Sequence, residues 1–181
     1  MKRHEIEPLL PEVMRRTALP GSPLFALLEA MEALHAPSEE VLAAIGRTFN
    51  AYQAPDVFVP WLAQWVDMDR FLSDAPSGRE EALVHAFPSG LGRLRTLIAA
   101  AARLSKSRGT AHGLVDFLET ATGLTGYRIE EEVPDAHDRV RPFHIRVLAP
   151  ALGVRYRTLI QQIVEAEKPA FVTYELLFDE V

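Results

Sequence analysis

An α+β fold is predicted, with an N-terminal helical region followed by a small mixed β-sheet in ββαβ order. Three observations predict it. Apolar residues recur at three- and four-residue steps through most of the chain before Gly123, which is the helical period. The period then drops to two, with Tyr127, Ile129 and Glu131 alternating with Arg128, Glu130 and Glu132. Helical and extended patterns are thus segregated along the chain, which separates α+β from alternating α/β folds. The expected organisation is an N-terminal arm over 1–21, a helical region over 22–109 and a small α+β region over 110–181.

Each element has a local cause. The arm mixes charge with Pro8, Pro11 and Pro20 and admits at most a short helix. Ser22 caps a helix that has Pro23 at its first position and Leu24, Leu27, Leu28, Met31 and Leu34 on one face. Pro37 is expected to end that helix. Ser38 is expected to cap the next, with Glu39 and Glu40 at its positive end and Val41, Leu42, Ile45 and Phe49 as its apolar face. Asn50 to Pro55 reads as a loop, and helix returns from Asp56 to Asp67, with Pro60 tolerated near the start. Asp69 to Gly78 reads as a polar loop and Arg79 to Phe87 as a short helix broken by Pro88 and Gly90.

The longest helical signal runs from Leu91 to Ser107, through Leu94, Leu97, Ile98, Ala101 and Leu104. Gly109 interrupts it and is expected to take a positive φ. Thr110 caps a helix with Leu114, Phe117, Leu118 and Ala121 inward, and Gly123 stops it. After the first strand comes the charged connection Pro134 to Arg141. A second strand follows, with Phe143, Ile145 and Val147 on one side and His144, Arg146 and Leu148 on the other. Val154 to Glu167 is helical, with Tyr156, Leu159, Ile160, Ile163 and Val164 on one face. Lys168-Pro169 stops it before a third strand, Phe171 to Phe178, whose apolar residues occupy both parities.

Composition narrows the function. The chain has 181 residues, 48% hydrophobic and 24% charged, as expected of a folded, soluble protein. A net charge of −6 disfavours wrapping a phosphate backbone, so no nucleic-acid partner is expected. There is no Cys, which removes disulfides, thiol nucleophiles and Cys-ligated metals. No run approaches the ~20 apolar residues of a membrane span, and the basic start lacks the apolar core of a signal peptide; neither membrane insertion nor secretion by that route is expected.

The chemical motifs are sparse. His112, His137 and His144 are the nearest approach to a catalytic or ligand set, but HExxH, paired His at helical spacing and a G-x-S-x-G elbow are all missing. Glu130, Glu131 and Glu132 alternate across a strand and give no pair of acids facing one cleft. Gly90-Leu91-Gly92 with Arg93 and Arg95 lacks both the GxGxxG and the Walker pattern. Arg103, Lys106 and Arg108 gather at a helix C-terminus, where cations oppose the negative end of the dipole; they also offer a patch for an acidic partner. Trp61 and Trp65, four apart, share a helix face. The simpler expectation is a core face; the functional one is a partner-facing anchor. No cofactor and no metal are expected.

An ordered set of motifs resembles a known family. Ala54-Pro55 leads into Val59-Pro60-Trp61-Leu62-Ala63, then Trp65 and Asp67. A long helix ends in Arg108-Gly109-Thr110, with Gly113-Leu114 and then Thr122-Gly123 beyond it, and Ile129-Glu130 follows. Lys168-Pro169-Ala170 precedes Thr173 and Tyr174. Over residues 40–178 this resembles the phage tail protein I-like family of contractile phage tails and related injection particles. The chain departs from that pattern at Ser105-Lys106-Ser107, where the family often carries an aromatic, and at Phe171, where it often carries His. The resemblance implies a non-catalytic baseplate wedge component, made in the cytoplasm and built into a particle. It implies a hetero-oligomer with other wedge proteins, a larger baseplate assembly protein among them. The rival expectation is a small α+β hydrolase or ligand-binding domain using His112 or His144 with a glutamate.

Overall fold

The computed structural model describes residues 3–72, 87–135 and 137–179. The chain divides into two compact units, residues 1–49 and 50–181.

The first unit is helical. Short helices α1 (Arg3–Ile6) and α2 (Glu12–Arg15) precede the long α3 (Pro23–Ala43) and a terminal turn, α4 (Ile45–Thr48). Ser22 caps α3 as expected, its hydroxyl accepting from the Phe25 N–H at 3.2 Å. Pro37, however, does not end α3, and Ser38 caps nothing: the helix runs through both. Pro37 has no N–H for the Ala33 carbonyl four residues back and crowds it with its ring, but both residues are exposed, so that carbonyl can tilt outward to water. Among the described residues of this unit only Ile6 and Leu28 are buried.

The second unit holds one core. A 3₁₀ turn (Asp56–Phe58) leads into α5 (Val59–Trp65), and a second such turn covers Asp69–Phe71. The expected polar loop after Asp69 therefore begins with a core residue: Phe71 is buried and meets Phe117 edge-on, centroids 5.3 Å apart. The rest of that loop, and nearly all of the helix expected over residues 79–87, lie outside the described residues. Helices α6 (Leu91–Lys106) and α7 (Ala111–Thr122) pack together, and Leu94, Leu97, Ala101 and Leu104 face Leu114, Phe117, Leu118 and Ala121 within one cluster.

The sheet has the order β1-β2-β3: β1 (Arg128–Glu130) is antiparallel to β2 (His144–Ala149), which is parallel to β3 (Thr173–Phe178). Helix α8 (Arg157–Glu167), entered through a 3₁₀ stretch (Ala151–Tyr156), makes the crossover. Its Leu159, Ile160, Ile163 and Val164 are fully buried. Pairing settles the faces of β3: Tyr174, Leu176 and Phe178 join the core, while Thr173, Glu175 and Leu177 share the outer face with His144 and Arg146. Phe143 does not join β2. Its φ of 54° turns the chain just before the strand and leaves the ring 65% exposed against Phe171.

Candidate functional site

The motif residues fall into three local constructions of the second unit. The first is the turn after α5. Asp67 takes φ 60°, its N–H reaches Gln64 O at 3.2 Å, and the Met68 N–H reaches Ala63 O at 2.8 Å. This double closure is the Schellman geometry; Asp tolerates the left-handed position better than most side chains, and buried Met68 packs the turn inward. The entering loop is held by Arg95, whose guanidinium donates to Ala51 O at 2.6 Å and Ala54 O at 2.8 Å and pairs with Asp56 at 2.5 Å. Arg95 is thus committed to backbone carbonyls and does not form an anion loop with Gly90. Pro55 precedes the 3₁₀ turn and Pro60 and Leu62 are buried. The core expectation for the two indoles fails: Trp61 is 55% and Trp65 62% exposed, because Val59, Leu62 and Ala63 form the buried side of so short a helix. Trp65 meets Phe58 edge-on at 6.0 Å, and Trp61 borders a shallow apolar hollow with Pro60 and Leu72.

The second construction joins α6 to α7. Gly109 takes φ 79°, as expected. The Thr110 hydroxyl accepts from the Gly113 N–H at 3.0 Å and donates to Ser107 O at 2.7 Å. Gly113 lies so close to Ser107 that an added Cβ would collide with its carbonyl oxygen and stand 2.7 Å from its carbonyl carbon. Gly123 closes α7 at φ 73°. Arg108 reaches α8, donating to Ala166 O at 2.6 Å and standing 3.5 Å from Glu167. Glu167 is only 6% exposed and also takes Arg70 at 2.7 Å. One buried carboxylate therefore ties together the turn after α5, the end of α6 and the end of α8. Gly109, Thr110, Lys168 and Pro169, nearly sixty residues apart in sequence, line one groove floored by Leu114 and Ile145.

The third is the outer sheet face. Glu175 accepts from Arg146 at 2.6 Å and from Arg141 at 3.4 Å, and Arg146 also reaches Glu130 at 3.1 Å. The Arg146 hydrogen bond, ahead of any other influence, holds the Glu175 carboxyl below the usual range and raises Arg146. His144 Nδ1 stands 2.8 Å from Thr173 Oγ1, and its Nε2 is buried, 4.0 Å from Glu175. His112 is exposed on α7, apart from this cluster. No group of His, Asp and Glu suited to a metal occurs among the described residues.

The first unit contributes a different kind of feature. Because α3 runs through Pro37, the two expected apolar faces become one: Leu24, Leu27, Met31, Leu34, Ser38, Val41 and Ile45 recur at alternating steps of three and four, ending in α4. Leu27 is 56%, Leu34 78% and Val41 67% exposed.

The sequence profile described as phage tail protein (Tail_P2_I) matches residues 23–170, most of the chain. The chain belongs to that family. No curated protein matches it. The match to this tail protein starts at the first residue of α3 and takes in the first two constructions and the β1 and β2 residues of the third, with Thr173 and Glu175 lying beyond it. Membership gives it a structural role in a phage tail, as part of the particle. No helix among the described residues of this tail protein is long and apolar enough to cross a membrane. Sequence reasoning missed Arg70, Arg95 and Glu167 as organisers of the site: each acts through a contact distant in sequence, and periodicity carries no signal for such pairs.

Proposed function

We propose that this chain is a baseplate wedge protein of a contractile phage tail or phage-tail-like injection system. In this reading it links wedge partners between the sheath-end ring and the central hub, is assembled in the cytoplasm, and performs no catalytic step. The observation that carries the reading is the heptad seam that runs along α3 into α4, apolar at six of its seven positions, with Leu24 and Met31 half-buried and Leu27, Leu34, Val41 and Ile45 exposed. Such a seam is satisfied by a second helix that inserts its own side chains between these. A larger baseplate assembly protein is the proposed partner, and exposed Pro55, Trp61 and Trp65, seated on buried Pro60 and Leu62, form a second proposed contact region.

Co-expression with that larger protein tests the proposal. A stable complex by size exclusion with light scattering is expected, lost in Leu34→Glu while the isolated variant melts as wild type does. Deleting the gene should leave particles without assembled baseplates; normal contractile particles from the deletion strain would refute the role.

The proximity of His144, Thr173 and Glu175 is the one observation that favours the enzymatic rival. Against it, Glu175 is already taken by two arginines and Thr173 donates to Phe143 O at 3.2 Å. Ester turnover that disappears in His144→Ala would favour the rival.

A further inference from the structure

We propose that the hollow beside Trp61 receives an arginine side chain of a partner protein, its guanidinium laid against the indole and ion-paired with Asp69. The inference rests on the second contact region proposed above and names the chemical group that region takes. The hollow measures about 170 Å³ and is lined by Pro60, Trp61, Gln64, Asp69 and Leu72. Pro60 is buried and Leu72 half-buried, while Trp61, Gln64 and Asp69 are exposed. A closed cavity of ~150 Å³ holds a benzene ring, so the space suits one planar side chain and is too small for a helix.

Charge selects the occupant. From Thr48 to Asp69 the chain has three Asp and no Lys or Arg. Arg95 takes Asp56 and Arg70 takes Asp67. Asp69 is the third, and among the described residues no hydrogen bond or ion pair engages its side chain. The exposed indole beside it also favours a cation, because the ring face is the negative part of its quadrupole and Trp is the strongest partner for such a charge.

An aliphatic side chain would fill the same space, but it would strip water from the Asp69 carboxylate and return no bond. A Lys ammonium is a strongly hydrated point charge. A guanidinium is planar and weakly hydrated, stacks on an aromatic face, and presents its donors in a fork. That fork can serve the Asp69 carboxylate and the Gln64 side-chain carbonyl together, while the apolar stem lies over Pro60 and Leu72. Trp and Arg are also the residues that most often carry interface energy, and such residues tend to meet across an interface.

Nuclear magnetic resonance of the full-length chain tests the proposal, since its two Trp give two indole N–H signals. The probe is N-acetyl-arginine amide, set against the uncharged citrulline amide of the same shape and the apolar norleucine amide. A saturable shift of the Trp61 signal is expected, with the arginine amide held at least about five-fold more tightly than either control and about five-fold less tightly by Asp69→Asn. Equal response to the three probes, undiminished binding in Asp69→Asn, or no saturable shift at Trp61 would each overturn the proposal. Co-purification with the larger baseplate protein separates it from the reading it rests on. Loss of co-purification in Trp61→Ala without arginine binding would keep the contact region and discard the guanidinium. Arginine binding with co-purification unchanged in both Trp61→Ala and Asp69→Asn would discard the contact region, and with it the delivery of that arginine by a tail partner.

Discussion

Replacing Gly113 by Ala inverts an ordinary rule. In a helix interior, Gly→Ala normally stabilises by ~0.8–1 kcal/mol. Gly113 lies in the first turn of α7, where the new Cβ would run into the Ser107 carbonyl, 2.7 Å from its carbon and 2.9 Å from the Ser107 Cβ. That carbonyl cannot retreat freely, because it also accepts from the Thr110 N–H at 3.2 Å and hydroxyl at 2.7 Å. Overpacking costs ~1–3 kcal/mol, and contact with pinned backbone belongs at the upper end. After the helical gain a loss of ~2 kcal/mol remains, or ~4–8 °C in melting temperature for a chain of this size. Thermal unfolding followed by circular dichroism measures it, with Gly92→Ala as control. A Cβ at Gly92 in α6 meets nothing within 4 Å, so that variant should melt no lower than wild type. If Gly113→Ala melts at or above wild type while the control behaves, the close approach of the α6–α7 turn is wrong.

Three further outcomes are expected. Glu167→Gln should destabilise by about 2 kcal/mol in chemical denaturation, since it weakens charge-assisted bonds to Arg70 and Arg108 at a buried position. Trp61→Ala should cost only ~1–2 kcal/mol, against ~3–5 for a fully buried Trp, while weakening co-purification with tail partners; a collapse of soluble expression would restore the core reading. Glu175 contributes stability above the ordinary glutamate value of ~4.3, and that contribution disappears as pH falls through its lowered folded value. The melting difference between wild type and Glu175→Gln should therefore be level from neutral pH down to about 5 and shrink below ~4.

Helices α7 and α8 were legible because each is bounded by residues with a local job: Thr110 and Gly123 around α7, Lys168-Pro169 after α8. Pro37 misled because its usual helix-ending effect is a preference, overridden where the orphaned carbonyl faces water. Phe143 misled because alternation is blind to a single left-handed residue at the mouth of a strand. The family motifs located the turns around α5 and between α6 and α7. What they omit is the wiring: Arg95 reaches back more than forty residues and Arg70 forward almost a hundred. Exposure of the two Trp residues was equally invisible, since a helical face looks the same in sequence whether its neighbour is the same chain or another.

The scarcity of buried residues in the first unit bears on the timing of assembly. With Ile6 and Leu28 the only buried residues among those described in it, and Leu9, Val13, Leu19 and Leu34 each more than 60% in solvent, that unit shows little to offset the entropy of ordering. On the proposal that another helix covers α3, a newly made copy is expected to carry a segment that is readily unfolded and readily cut until then. Copies in excess of their partners are then expected to be the more readily proteolysed, and the level of the chain to follow the supply of what it assembles with. On that expectation, removal of surplus copies would itself help match the stoichiometry of the tail.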